Sequence, residues 1–144
     1  MFSIPDRRSV FIALATVLVA IVLSGCETTR RAFEGDPMPP EQVANFLQVV
    51  SPKGSYDEPP RFVRGFAPFF PEGEGRKRKL GYALAEFTVT ADGSAKSIRI
   101  IKATTDNFAQ EAGYTVRDWR FAPGKKNGQP VAVRVRLPFT FRQS

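Results

Sequence analysis

The hydrophobic residues of the C-terminal half change their spacing twice, and the order of these changes constrains the fold more than any other feature. From Gly81 onward every second residue is apolar or small and falls on one face: Ala83, Ala85, Phe87 and Val89. Alternate side chains point to the same side of a β-strand. The segment is therefore predicted to be a strand with one buried face.

A second strand is predicted directly after the first. Asp92-Gly93 is a tight-turn sequence, and the segment that follows it places Ile98 and Ile100 inward and Arg99 outward. Two alternating segments joined by such a turn predict a β-hairpin.

The spacing then lengthens to that of a helix. Residues 104–121 carry an apolar stripe at helical spacing, formed by Phe108, Ala112, Val116 and Trp119. Asp106, or Asn107 with Gln110 three residues later, can cap the first amides. This segment is predicted to be an amphipathic helix.

Alternation returns in the last segment. One face takes Val131, Val133, Val135, Leu137, Phe139 and Phe141, and the other takes Ala132, Arg134, Arg136, Pro138 and Thr140. We expect a strand with one buried face and one basic, solvated face. Because Pro138 has no amide to donate, this strand, or at least its end, is expected to lie at an edge of its sheet.

These elements predict an α+β fold, in which a small antiparallel three-stranded sheet packs against one or two helices. The additional helix would be short and lie near residues 41–50, where Val43, Phe46, Leu47 and Val50 recur at helical spacing. Its stripe could rest on the domain or on lipid. The domain is favoured because the polar face lacks the Lys and Arg of a membrane-surface helix.

The N-terminus has the order of an export signal. Arg7 and Arg8 precede an uncharged run from Val10 to Leu23, whose 14 residues are too few for a membrane-spanning helix of about 20. Leu23-Ser24-Gly25-Cys26 resembles the lipobox of bacterial lipoproteins. That resemblance implies cleavage between Gly25 and Cys26 and attachment of lipid to the Cys26 thiol. The alternative is an uncleaved inner-membrane anchor with Cys26 at its edge.

The resulting domain organisation has three parts. Residues 1–25 are the predicted signal peptide, residues 26–65 the lipidated Cys and a tether that includes the short helix, and residues 66–144 the folded domain. The 119 residues that remain after cleavage suffice for one domain. Tether residues 27–65 would average about 35 Å as a coil and would keep the domain near its leaflet.

The composition offers little for catalysis. The sequence has no histidine, the commonest general base and metal ligand, and its only cysteine is Cys26. The pairs Asp57-Glu58 and Glu72-x-Glu74 stand among Pro and Gly, as solvated loop carboxylates do. We therefore expect no enzyme, no metal and no cofactor.

The net charge of +7 indicates an anionic partner. Export argues against nucleic acid and leaves lipid headgroups, lipopolysaccharide or peptidoglycan. The basic run at residues 76–79 is either a solvated turn or, with Arg134 and Arg136, a surface that holds anionic lipid or glycan or steers an acidic peptide.

Residues from about Phe66 to Phe141 resemble the TonB C-terminal domain family. The matching motifs, in order, are Pro68-x-Phe70-Pro71, Gly81, Phe87-x-Val89-x-x-Asp92-Gly93, Phe108 with Ala112, Trp119-Arg120-Phe121-x-Pro123 and Gly128-x-Pro130-Val131. The resemblance implies a periplasmic domain that adds a peptide, such as the TonB box of an outer-membrane receptor, to its last strand. It assigns partner contacts to Phe70, Pro71 and the strand residues Val131, Val133, Arg134, Val135 and Arg136.

The sequence therefore indicates two alternative functions. The first is a lipid-anchored module of TonB-type transport that captures a receptor segment at a sheet edge. Because the His-bearing membrane helix and long Pro-rich spacer of full transducers have no counterpart, it is not expected to transmit proton-motive force. The alternative is a structural envelope lipoprotein that holds peptidoglycan or anionic membrane and could pair with itself as a homodimer. An Asp directly after the lipidated Cys would retain a lipoprotein in the inner membrane. This chain has Glu27 at that position, which favours the outer membrane.

Overall fold

The computed structural model describes residues 36–76 and 79–143. The predicted signal peptide, its cleavage site at Gly25 and Cys26, and the lipidation of Cys26 lie outside the described residues. The elements, in chain order, are α1 (Pro40–Ala44), β1 (Gln48–Val49), β2 (Arg61–Arg64), a 3₁₀ turn (Glu74–Arg76), β3 (Leu80–Val89), β4 (Ala95–Ala103), α2 (Asp106–Asp118), β5 (Arg120–Ala122), β6 (Gly124–Lys126), β7 (Gln129–Val131) and β8 (Val133–Arg142). Within these residues, no helix is long and apolar enough to cross a bilayer.

The main sheet is antiparallel and has the strand order β1-β8-β3-β4. The predicted α+β class is confirmed, since the three predicted strands appear as β3, β4 and β8. The two-residue strand β1 is an addition to them. The pairing of β3 with β8 is unbroken from Leu80 and Arg142 to Val89 and Val133. This register places the alternating apolar residues of both strands on one face.

The turn between β3 and β4 is held by the carboxylate of Asp92. That side chain accepts hydrogen bonds from the Thr90 hydroxyl and from the amide and hydroxyl of Ser94, at 3.0 and 2.7 Å for the last two. Gly93 has a φ of 82°, and a Cβ there would collide with the Phe121 carbonyl oxygen. The predicted Asp-Gly turn is thus also a contact between the hairpin and β5.

Helix α2 packs on the apolar face of the main sheet. Its stripe Phe108, Ala112 and Val116 is fully buried. Gly81 of β3 lies at this contact, and a Cβ there would collide with the Phe108 ring. At the start of the helix, the buried Glu74 carboxylate accepts hydrogen bonds from the side chains of Thr105 and Asn107, at 2.8 and 2.9 Å. The first residues of α2 are therefore tied to the 3₁₀ turn.

Trp119 is the centre of the aromatic core. It is 1% exposed, and its indole nitrogen donates to the Phe66 carbonyl at 2.9 Å. Phe62 on β2 meets the Trp119 ring edge-on, with 4.6 Å between centroids, and Phe139 on β8 lies 5.5 Å from it. Trp119 thus joins the small sheet formed by β2 and β5 to the main sheet.

Residues 36–65 belong to the same compact unit as the domain, which runs from Gly35 to Ser144. Helix α1 ends at Ala44, earlier than the apolar spacing predicts, and the chain then turns into β1. Val43 is buried in the core, whereas Phe46, from the same predicted stripe, is 57% exposed. The predicted tether therefore contributes two core residues, Val43 and Phe62, and the two strands β1 and β2.

The predicted last strand is divided into two elements. Asn127 and Gly128 both have positive φ, of 50° and 77°, and form the two-residue turn of the hairpin β6–β7. Val131 ends that hairpin opposite Gly124, and β8 begins two residues later at Val133. The Gly128-x-Pro130 motif therefore belongs to this hairpin, not to β8.

Candidate binding edge of strand β8

The backbone of β8 has one side bonded to β3 and another side that faces outward. On the outer side, the Arg134 carbonyl accepts hydrogen bonds from the amides of Val50 and Ser51, at 2.8 and 3.2 Å. The Arg134 amide donates to the Ser51 hydroxyl at 2.8 Å. Because backbone groups alternate along a strand, the amides and carbonyls of every second residue after Arg134 point the same way.

Strand β1 covers only the first part of this outer side. Its two residues pair with Arg136 and Val135. Among the described residues, no strand pairs with residues 137–142 on this side. Thr140 and Arg142 therefore direct an amide and a carbonyl outward there, and Pro138 directs a carbonyl alone. The expected edge exists, but only along the second half of β8.

A groove of about 260 Å³ runs beside the uncovered part of the strand. One wall is formed by residues 137–140 of β8, and the other by the N-terminal segment and Pro68, through Met38, Gln42, Val43 and Phe46. The exposed Phe46 ring gives this wall an apolar side chain. A sheet edge beside an apolar groove can bind both the backbone and the side chains of an extended segment.

Phe70 and Pro71 lie near the C-terminal end of β8. The Phe70 ring meets Phe108 edge-on at 5.4 Å, and the Phe69 amide donates to the Glu111 carboxylate at 3.0 Å. Phe70 and Pro71 also line a second cavity, of about 390 Å³, together with Gln143. The contact with α2 fixes this segment beside the end of the uncovered edge.

The structure does not bring all the predicted contact residues together. Phe70 and Pro71 lie at one end of β8, and Val133 begins its other end, about 30 Å away at 3.3 Å per residue, with Val131 two residues before it. Val133 and Val135 are fully buried, so their side chains form core contacts, and Val131 packs partly against the core. The backbone groups of Val133 and Val135 face β3, so a partner on the outer side of β8 would instead meet the backbone groups of Arg134 and Arg136.

Arg134 and Arg136 differ in their surroundings. The Arg134 side chain is exposed, whereas Arg136 donates from its Nε to the Glu86 carboxylate at 2.7 Å. Arg99 donates to the other oxygen of Glu86 at 2.8 Å. These bonds, that of Arg136 first, hold the pKa of Glu86 below its ordinary value. Arg136 is therefore fixed on the sheet, and Arg134 is free to meet solvent or a partner.

Of the predicted loop carboxylates, Asp57 and Glu58 are engaged in ion pairs, whereas Glu74 is buried and not solvated as expected. Asp57 accepts hydrogen bonds from the Asn127 amide at 2.7 Å and from Lys126 at 2.9 Å, and both lower its pKa. Glu58 lies 3.4 Å from the Lys125 nitrogen. These acids fasten the hairpin β6–β7 to the preceding loop. Within residues 36–76 and 79–143, no group of three or more acids, Cys or His is placed to hold a metal.

The groove wall formed by Met38, Gln42 and Phe46 was not among the predicted contact residues. Phe46 was assigned to a helical stripe resting on the domain, and its exposure follows from the early end of α1. The signal for that end is weak in the sequence, since "NFLQ" has no proline or glycine. The run at residues 76–79 is described only in part, because residues 77 and 78 lie outside the described ranges.

Comparison with known proteins identifies the family of the domain. Residues 67–143 match the family model for the C-terminal of the Gram-negative bacterial TonB protein. Among solved structures, the chain is similar to the solution NMR structure of the TonB C-terminal domain of Pseudomonas aeruginosa. The two are 25% identical, the match covers 61% of this chain and 90% of that one, and the TM-score is 0.52. No curated protein sequence matches the chain.

Proposed function

This chain belongs to the TonB C-terminal domain family, a family of protein-interaction domains, and from that premise we propose that it captures an extended protein segment along the outer side of β8. The observation that carries the proposal is the uncovered strand edge at residues 137–142. An extended segment placed there would gain hydrogen bonds to Thr140 and Arg142 and an apolar contact in the groove.

Strand β1 defines a second stage of capture. Val50 and Ser51, which follow β1, form hydrogen bonds with the backbone groups of Arg134, and β1 itself pairs with Arg136. A partner segment that extends from Leu137 toward the start of β8 must first displace β1, with Val50 and Ser51, before it reaches Arg134, Val135 and Arg136. Since β1 contributes few hydrogen bonds, of about 1 kcal/mol each, a segment of matching length can replace it.

The setting of this activity is the bacterial cell envelope, in TonB-type transport. Lipid on Cys26 would hold the domain on a leaflet facing the periplasm, with the outer membrane favoured by Glu27. The partner would be a segment of a TonB-dependent receptor. The chain would bind this segment without itself transmitting proton-motive force.

In-cell photocrosslinking tests the proposal. A photoreactive residue replaces Thr140 on the β8 wall of the groove or Gln42 on the opposite wall, and both positions line the groove. Gln110, exposed on α2, provides the matched control. Val133 is unsuitable because its side chain is fully buried.

Crosslinks from both walls to one receptor segment, with none from Gln110, would support capture in the groove. Crosslinks from both walls only to other copies of this chain or to cell-wall material would overturn it and favour a structural envelope role. Equal products from Thr140 and Gln110 would also contradict it, because Gln110 lies outside the groove.

A further inference from the structure

The face of the main sheet that points away from α2 is basic along its whole length. Residues paired directly across an antiparallel sheet lie on the same face. On β3, Thr88 pairs with Lys96 and Arg134, Glu86 with Arg99 and Arg136, Leu84 with Lys102, and Leu80 with Arg142. We call the outward surface formed by these six cations the basic face; its members are Lys96, Arg99, Lys102, Arg134, Arg136 and Arg142.

The charge of the basic face is almost unopposed. Glu86 is the one carboxylate on the outward side of these strands, and it takes Arg99 and Arg136 as partners. Among the described residues, the other four cations form no ion pair within 4 Å, although the charge of Lys96 interacts with the Asp92 carboxylate in the adjoining turn. The net charge of the face is +5. A second copy of the chain would be repelled from it, and an anionic surface would be attracted.

The basic face also has an apolar end. Leu80 is 55% exposed and Tyr82 is 37% exposed, and they lie beside Arg142 and Thr140 in the register of β3 and β8. Aromatic and aliphatic side chains next to Arg and Lys are typical of surfaces that rest at the level of lipid headgroups, where the apolar group enters and the cations stay at the phosphates.

From these observations we propose that the basic face docks on a bilayer surface that contains anionic phospholipid. The cations span three strands, about 10 Å across and about 26 Å long, which suits a planar array of phosphates. The predicted anchor at Cys26 precedes Asp36 by 10 residues, a reach of at most about 35 Å, so the bilayer lies within range. The basic face is formed by side chains, whereas segment capture uses the outward backbone groups of β8.

Lysine footprinting of the full chain tests the docking. The chain is purified from bacterial membranes and placed in nanodiscs of phosphatidylcholine alone or with 30% phosphatidylglycerol, and an amine-reactive ester is added. In anionic discs at low salt, we expect the modification rates of Lys96 and Lys102 to fall at least threefold. Lys125 and Lys126 on β6 serve as internal references and should react equally in both discs. High salt should restore the rates, since the attraction is screened.

Charge reversal provides the matched comparison. Arg134→Glu with Arg142→Glu alters two exposed cations of the basic face and leaves both lysines available for modification. Each basic side chain at an anionic surface strengthens binding about fivefold, so this variant should lose at least about 25-fold in docking and all protection. Arg61→Glu with Arg64→Glu makes the same charge change on β2 and should keep the protection.

Three results would overturn the proposal. The first is equal modification of Lys96 and Lys102 in neutral and anionic discs. The second is protection that survives Arg134→Glu with Arg142→Glu while denaturation shows that the variant is folded. The third is protection that appears only when an acidic polypeptide is added, which would make the occupant a protein. None of these results bears on the groove crosslinks, so failure here is distinguishable from failure of segment capture.

Discussion

Gly81 shows how much of the packing depends on one absent methyl group. The Phe108 ring of α2 lies against this position on β3, and a Cβ there would collide with it. We expect Gly81→Ala to lower the free energy of unfolding by about 1–3 kcal/mol, the usual cost of overpacking a core. Urea denaturation measures the change.

Gly113 is the matched control for Gly81. It lies inside α2, and a Cβ there would meet no atom within 4 Å. Gly113→Ala should therefore raise the free energy of unfolding by about 0.5–1 kcal/mol, through helix propensity alone. If both variants change stability in the same direction, the close approach of Phe108 to β3 is not the reason why position 81 requires a glycine.

Glu86 makes the stability of the sheet sensitive to acid. Because Arg136 and Arg99 hold its pKa below the ordinary value of about 4.3, its contribution is present above that pH and is lost as the pH falls through the lowered pKa. We expect Glu86→Gln to lower stability at pH 7 and to reduce the loss between pH 5 and 3. Unfolding free energies measured across this range should converge at the acid end. Parallel curves would contradict the assignment.

Individual residues with strong local chemistry were predictable from the sequence. Asp92-Gly93 forms the expected turn, and Trp119 and the inward-facing residues of β8 are buried. These outcomes depend on alternation and turn chemistry, which act over a few residues. The partners of Glu86 and Glu74 could not be predicted, because they come from elements distant in the chain.

Strand β1 is the element most readily separated from the fold. Val50→Pro removes the amide that donates to the Arg134 carbonyl. We expect β1 to detach and hydrogen exchange at the Arg134 amide to accelerate at least tenfold, since that amide loses Ser51 as its acceptor. The amides of Val135 and Leu137 face β3 and should exchange as before.

Val50→Ala separates the backbone from the side chain in this test. It retains the amide and removes only a partly exposed side chain. Exchange at Arg134 should then remain slow. Fast exchange in both variants would mean that the Val50 side chain, not its hydrogen bond, holds β1 on β8.

Elements defined by long periodic segments were predicted, and short ones were not. Strands β3, β4 and β8 and helix α2 each repeat an apolar spacing over at least two turns or four residues. Strand β1 has two residues, too few to show a period, and its pairing depends on residues of β8 that lie 86 and 88 positions later in the chain. The hairpin β6–β7 does have a local signal, the dipeptide Asn127-Gly128, but each of its strands has only three residues.

At the scale of the molecule, the N-terminal boundary of the folded domain can be tested by truncation. Val43 and Phe62 are core residues that precede the predicted boundary at residue 66. A chain starting at residue 36 should unfold cooperatively with the midpoint of the full chain. A chain starting at residue 52 should be folded but about 2–4 kcal/mol less stable, because it lacks Val43 and β1. Equal midpoints for the two truncations would show that α1 and β1 contribute nothing to the core.

Pro138 determines how the uncovered edge behaves when the protein is concentrated. Open strand edges let copies of a chain add to one another without limit, which leads to fibrous aggregates. Near the start of this edge, however, Pro138 has a carbonyl but no amide, so every added strand would lose one hydrogen bond and the ladder would be interrupted at each step. The arginines on either side add repulsion between identical strands. The edge is therefore suited to binding a single segment, and the protein can have an open strand edge without polymerising.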